Sequence, residues 1–184
     1  MIISGVGGAP DFSAPLAPTF SGKTICQDTV RNILSVLRRE QGGGVGGGKP
    51  VLVVISTTGI TAKRDIPLAM VPLYNLVLRT PHADKKVMEG LVFEEAACTE
   101  EERVLSDYVM IRPSLLTNGP PGKNKMRVLK GTGEGMNTAG GLACPFVGYT
   151  VCREDVGGFM FGLVKGLEGE EGREYFGSVV SISH

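Results

Sequence analysis

The chain has 184 residues, 42% of them hydrophobic, which suits one globular domain over residues 1–184 with a sizeable core. Its 19 Lys plus Arg are balanced by 19 Asp plus Glu, so overall charge gives no reason to expect nucleic acid or an acidic membrane as a partner. Cys26, Cys98, Cys144 and Cys152 form no CxxC pair and His82 and His184 lie far apart, so the sequence predicts no zinc site, only reduced structural thiols in a cytoplasmic protein.

Met1-Ile2-Ile3 is too short for a signal peptide, and no apolar run is long enough to span a bilayer. Ile2 to Gly5 reads as a short strand ending in the turn Gly5-Val6-Gly7-Gly8, where glycine permits close approach of a ligand. This is not GxGxxG, and as a dinucleotide signal it is weak. Ala9 to Ser21 reads as an ordered loop with Phe12 and Phe20 as anchors. Thr24-x-x-Gln27 can act as a capping box for a helix over Thr24–Glu40, with Val30, Ile33, Leu34 and Leu37 as its apolar stripe. Gln41 to Gly48 holds six glycines and reads as a flexible connection. It is not a phosphate loop, because Lys49 is followed by Pro50 rather than a hydroxyl residue.

Val51 to Ile55 is the central strand: five apolar residues, three of them valine, fit a strand buried on both faces. It opens into Ser56-Thr57-Thr58-Gly59, small hydroxyl residues at what should be the carboxyl edge of an α/β sheet. A helix is expected over Pro67–Arg79, with proline in its first turn. A second is expected over His82–Ala97, with Val87, Leu91 and Val92 turned inward. Tyr108 to Ile111 is a third strand and runs into Arg112-Pro113-Ser114. Lys123 to Gly141, poor in apolar residues, reads as a mobile loop. Phe146 to Val151 reads as a short strand, Asp155–Lys165 as a helix, and Tyr175–Ile182 as the last strand. Four strands, Ile2–Gly5, Val51–Ser56, Asp107–Ile111 and Tyr175–Ile182, should lie in that order in a parallel sheet flanked by these helices.

Several side chains can carry chemistry. Ser56, Thr57 and Thr58 can orient a carbonyl or a cofactor amide, or merely cap the next element. His82 and Lys86 lie four apart on one helical face. Tyr74 offers a phenol, but Leu78 stands four later where a lysine would lower its pKa. Arg112 can serve an anionic ligand, or pair with Asp155 or Glu89. Cys144 and Cys152 have no histidine locally paired with them.

Val51-Leu-Val-Val-Ile-Ser-Thr-Thr-Gly59, His82-Ala-Asp-Lys-Lys86-Val-Met-Glu89, Asp107-Tyr-Val-Met-Ile-Arg-Pro-Ser114 and Tyr149-Thr-Val-Cys-Arg-Glu-Asp-Val156 follow one another in order. This order resembles the atypical short-chain dehydrogenase/reductase superfamily, in particular its NmrA-like and biliverdin/flavin-reductase-like members, from Ile2 to about Val164. The resemblance implies a partial Rossmann-like fold, with NAD or NADP across the carboxyl edges of the strands. It places Gly5 to Gly8, with Gly5 and Gly7 in direct contact, and Ser56, Thr57, Lys86, Arg112, Pro113 and Ser114 near the cofactor. It makes Lys86, Ser56 and His82 the catalytic candidates, with His82 where classical members carry tyrosine, and it puts Arg153 and Asp155 at the start of the helix on the substrate side. It further implies that the chain opens at the family's fourth strand and lacks the pyrophosphate-binding half. On that expectation the chain is truncated, binds dinucleotide poorly, and associates with itself through its exposed first strand. The activity implied is hydride transfer to a small-molecule carbonyl or conjugated substrate; the alternative is a non-catalytic, NmrA-like regulatory or structural protein.

Overall fold

The computed structural model describes residues 1–8, 10–11, 19–42, 48–61, 64–122, 126–131, 147–167, 169–170 and 172–184. Phe12, Cys144, Phe146, and most of the glycine-rich stretches at 43–47 and 132–141 lie outside the described residues.

The main sheet has five strands: β1 (Ile2–Ser4), β4 (Val51–Ile55), β5 (Asp107–Pro113), β9 (Ser178–Ser183) and β7 (Arg127–Gly131), in that spatial order. The first four are parallel and stand in the expected order; β7 is antiparallel and closes the β9 edge. The expected loop from Lys123 therefore contributes a strand. Its Val128 pairs with Ile182 and packs on the core, which outweighs the polar residues around it. Two small sheets stand apart: β2 (Pro10–Asp11) with β3 (Thr19–Phe20), and β6 (Leu115–Thr117) in parallel with β8 (Thr150–Cys152).

Helices cover both faces, as an α/β architecture requires. On one face α1 (Ile25–Gly42) and α3 (Arg79–Ala97) pack Val30, Leu34, Met88 and Val92 against Leu52, Val54, Met110 and Val179. On the other, α4 (Arg153–Lys165) brings Val156 and Leu163 to Val53, Val109, Ile111 and Val180. The helix expected over Pro67–Arg79 is split. A 3-10 turn at Leu68–Met70 precedes α2 (Val71–Val77), with a proline in the first turn of α2. A new helix then starts at Arg79, and Pro81 falls in its first turn, where its missing amide is not needed.

Helix α3 is tied to its surroundings by polar side chains on its buried face, where Asp84, Glu89 and Glu95 are all buried. Asp84 accepts the amides of Cys26 (2.9 Å) and Gln27 (3.0 Å), so the orphan amides at the start of α1 are capped by another helix. Glu89 holds Arg112 of β5 by a bidentate pair, Nε to Oε1 at 2.8 Å and Nη2 to Oε2 at 2.5 Å. Glu95 accepts the Val104 amide at 2.6 Å and the Arg38 guanidinium at 2.5 Å.

The Glu89–Arg112 pair is sealed, with side-chain exposures of 5% and 0%. Removing one partner strands the other charge in the core. Arg112→Ala and Glu89→Ala should each lower unfolding free energy by about 3–5 kcal/mol in urea titrations. The double change Arg112→Met with Glu89→Leu should recover most of the loss. A single-variant loss below about 1 kcal/mol would show that the pair is not sealed in solution.

Candidate functional site

The carboxyl edge of the parallel strands is where the sheet changes character. On the α1–α3 face, the apolar row Val54–Met110–Val179 is followed, one pleat on, by Ser56, Arg112 and Ser181. Ser56 extends the β4–β5 ladder, its amide donating to the Ile111 carbonyl at 2.7 Å. The amide of Thr58 reaches the Pro113 carbonyl at 3.2 Å, so the chain stays attached to β5 beyond the end of β4.

The turn that follows is fixed by close packing. Gly59 has φ +86°, and its amide donates to Asp65 Oδ1 at 2.8 Å. A Cβ at Gly59 would sit 2.5 Å from Tyr74 Cδ1 and 3.0 Å from His82 Cε1, so both the conformation and the space require glycine. Tyr74 is buried, hydrogen-bonds the Thr58 side chain, and lies against His82 with ring centroids 5.3 Å apart. Burial raises the Tyr74 pKa further, so the phenol stays protonated. Burial also raises the Asp65 carboxyl, against the opposing pull of the Gly59 amide, the Thr61 side chain and the Arg112 charge.

His82 lies under this turn. Its Nε2 is buried with no hydrogen-bond partner, and burial lowers its pKa to about 4, so the ring is neutral near pH 7. The lysine that reaches the strand ends is Lys85: its Nζ donates to the Ile55 carbonyl and, at 3.5 Å, to the Val6 carbonyl. Lys86 is exposed. Of the three residues expected inward, Val92 is fully buried and Leu91 packs against the core, but Val87 is 42% exposed, and the buried face also carries Asp84, Met88 and Glu89. The inward lysine is thus Lys85 rather than Lys86, one residue and roughly 100° around the helix. Met88 and Val92 at i+3 and i+7 from Lys85 were the available signal for this face.

The other predicted residues divide. Gly5 and Gly7 lie exposed just after β1, and Thr57 is half-buried with its hydroxyl on the Thr58 carbonyl at 3.1 Å. Arg112 and Pro113 are buried, and Arg112 is engaged by Glu89. Ser114 is buried, its hydroxyl without a partner, and its amide donates to the Ile182 carbonyl at 2.9 Å. Arg153 bonds Asn118 Oδ1 at 2.6 Å, while Asp155 takes the Gly122 amide at 3.0 Å and faces His184 Nε2 at 3.0 Å. Those two residues fasten α4 to the loops after β6 and to the end of β9. Cys26 is buried and its thiol donates to the Val6 carbonyl at 3.4 Å. Burial pushes its pKa up to about 11, against the pull of Lys85, which leaves a thiol rather than a thiolate. Among the described residues no group of three or more His, Cys, Asp or Glu could hold a metal ion, and no helix is long and apolar enough to cross a membrane.

No family model matches the chain. It is 46% identical over 186 aligned residues to the reductase pytE of Aspergillus terreus, covering 100% of this chain and 66% of that protein. It is 29% identical over 176 residues to the oxidase pynE of Aspergillus niger, covering 87% of this chain and 57% of that protein. It therefore spans a little under two thirds of the length of these curated relatives. Among solved structures it is similar to a short-chain dehydrogenase/reductase from Veillonella parvula in complex with NADP, with a TM-score of 0.55, 13% identity, and coverage of 84% of this chain and 58% of that one. The chain is a relative of these fungal redox proteins and has a partial Rossmann-like fold. The structural likeness, at that identity, carries the fold alone.

The titrations of the site have opposite signs. His82 has a folded pKa below its unfolded one, so its contribution to stability is present above about pH 6.5 and is lost as pH falls toward about 4. Asp65, raised on folding, works against this in the acid range, while Asp84 is lowered: burial opposes its charge, but the amides and side chains of Gln27 and Cys26 outweigh it. The His82 share is isolated by difference. Urea unfolding of the wild type and His82→Gln at pH 7 and pH 4.5 should show a wild-type acid loss that the variant lacks. Equal pH dependence would place His82 in contact with water.

Proposed function

We propose that the chain forms the nicotinamide-facing part of an NAD(P)-dependent reductase acting on a carbonyl or a conjugated double bond. The observation that carries this reading is the 46% identity, over the whole chain, to a protein described as a reductase. The Lys85 ammonium, held at the strand ends by the Ile55 and Val6 carbonyls, supports the reading of a dinucleotide there. In this reading the cofactor supplies a hydride. Lys85 holds the nicotinamide ribose from below, in the role the resemblance implied for Lys86, Thr57 orients substrate and carboxamide, and the buried Ser56 fixes the end of β4 beneath them. Gly5 and Gly7 present backbone to the same ligand, while the buried Pro113 and Ser114 shape the site from behind and Arg112 positions α3 from within. His82 takes the role of proton donor, which requires that its ring, neutral near pH 7 in this fold, first take up a proton.

Weak affinity belongs to the same proposal. Among the described residues no glycine-rich turn leads directly from a strand into a helix, the arrangement that seats a pyrophosphate. Among the described residues strand β1 pairs only with β4, and this edge supports self-association of the chain. The free thiols Cys26, Cys98 and Cys152 suit a reducing, cytoplasmic setting. A second reading is a non-catalytic dinucleotide sensor of the NmrA-like kind, rather than a biliverdin/flavin-reductase-like enzyme; the sealed Nε2 of His82 favours it.

Titration with NADPH and NADH, followed by nicotinamide fluorescence with light scattering for oligomeric state, tests the proposal. Saturable binding weaker than about 1 μM is expected, and Lys85→Ala should weaken it by about tenfold, or about 1.4 kcal/mol. Lys86→Ala should leave it unchanged. Equal effects of the two lysines would overturn the placement. Binding without turnover across a panel of aldehydes, ketones and enones would favour the sensor.

A further inference from the structure

The amino edge of the sheet, where the parallel strands begin, holds a cavity of about 260 Å³. It is lined by Ala96 at the end of α3, Arg103 and Leu105 in the loop that follows, Asp107 and Tyr108 at the start of β5, and Gly177 just before β9. The seven residues of β5 run from this end toward the strand mouths, about 20 Å along the sheet. The cavity is therefore separate from the edge where Lys85 lies.

Its polar lining is a guanidinium and a carboxylate that do not pair. Glu100, Glu101 and Glu102 directly precede Arg103 and are exposed, yet Arg103 forms no ion pair among the described residues. It turns inward instead: Nε is shut off from solvent without a partner, and the side chain lines the cavity. Arg112, Arg153 and Arg173, by contrast, each find an oxygen. Asp107 faces the same space. Its Oδ1 accepts the Tyr108 amide at 2.8 Å, and no cation pairs with it among the described residues. Gly177 keeps that carboxylate uncovered: it has φ +70°, and a Cβ there would stand 3.3 Å from Oδ1 and 4.0 Å from Oδ2. Ala96 and Leu105 supply an apolar wall, and the Tyr108 ring is held edge-on by Phe93 with centroids 5.9 Å apart.

We propose that this cavity binds a small zwitterion of the apolar amino-acid class, with its carboxylate on Arg103, its ammonium on Asp107 and its side chain against Ala96 and Leu105. The two charges select the class. An anion alone would gain the guanidinium and be repelled by Asp107, and a cation alone would meet the reverse. A guanidinium presents parallel N–H donors to a carboxylate, and the Asp107 carboxylate accepts from an ammonium. Size narrows the choice. At about 30 Å³ for each water, the cavity has room for a molecule of about nine non-hydrogen atoms, the size of leucine. A dinucleotide is several times too large.

Backbone amide NMR of the protein titrated with L-leucine tests this. The Tyr108 amide, which donates to Asp107, and the Gly177 amide, which donates to the Tyr108 carbonyl at 2.8 Å, report on the site. Both should shift and saturate with a Kd below about 1 mM. Isocaproate and isoamylamine, the leucine skeleton with one charge each, should bind at least about tenfold more weakly. Arg103→Gln and Asp107→Asn should each weaken leucine by about tenfold. The asparagine carbonyl still accepts the Tyr108 amide, which preserves the start of β5. A leucine Kd weaker than about 1 mM, an analogue that binds as tightly as leucine, or shifts confined to the Lys85 edge would overturn the proposal. Should Arg103→Gln fail to fold, the wild type with the two analogues and Asp107→Asn decide the matter. None of these measurements involves a dinucleotide, so the site stands or falls apart from the reductase assignment.

Discussion

The buried polar face of α3 is the constraint on which the rest of the structure depends. Hydrophobic contact alone would let this helix slide or rotate over the valines of the sheet, because apolar packing is largely non-directional. The polar side chains remove that freedom. Asp84 needs the first amides of α1, Lys85 needs the ends of β1 and β4, Glu89 needs Arg112, and Glu95 needs Arg38 and the Val104 amide. One rotation and one register satisfy all of them at once. Buried ionic contacts of this kind add little net stability relative to apolar packing, but leaving any one unmade is expensive. The helix is therefore held by the cost of error rather than by the strength of attraction.

That arrangement also decides what the strand mouths present. Parallel strands end in carbonyls at their carboxyl edge, and the Lys85 ammonium lies on those of Ile55 and Val6. The same helix carries His82 one turn earlier, under a turn whose geometry requires glycine at position 59. Placement of α3 by Glu89 thus fixes the cation and the imidazole together. A change at Arg112, which is remote from solvent, should be felt at Lys85 through this helix.

The sheet was legible in the sequence because its signals are local and redundant. Val51–Ile55 and Tyr108–Ile111 are continuous apolar runs, and alternation with helical stripes implied parallel pairing, as found. Helix α3 was legible in extent but not in rotation. Its buried face carries three carboxylates beside Met88, Leu91 and Val92, so apolar spacing alone also admits the exposed Val87 and turns the wrong lysine inward. Strand β7 was hidden for a related reason: its pairing depends on β9, more than 40 residues later, and its own five residues alternate only weakly. The partner of Arg112 was among the alternatives the sequence allowed, but only the pairing of α3 with β5 selects Glu89 over Asp155. The closure of Gly59 over His82 and Tyr74 left no local trace, because it depends on α2 folding back against the turn.

The cation at the strand mouth is the feature that gives the edge a chemical direction. Lys85 forms no ion pair with a carboxylate among the described residues, whereas Arg112, equally close to the edge, is neutralised by Glu89. Two cations near the same edge are thus treated oppositely. One is buried and spent on architecture, and the other is met by carbonyl dipoles and the uncharged Cys26 thiol. Carbonyl contacts satisfy the geometry of an ammonium without cancelling its charge. The field left over at the ends of β1 and β4 favours an oxygen-rich or anionic group there. Exchanging the two roles, so that the mouth carried the paired arginine and the core the lysine, would leave the charge count unchanged and remove that field.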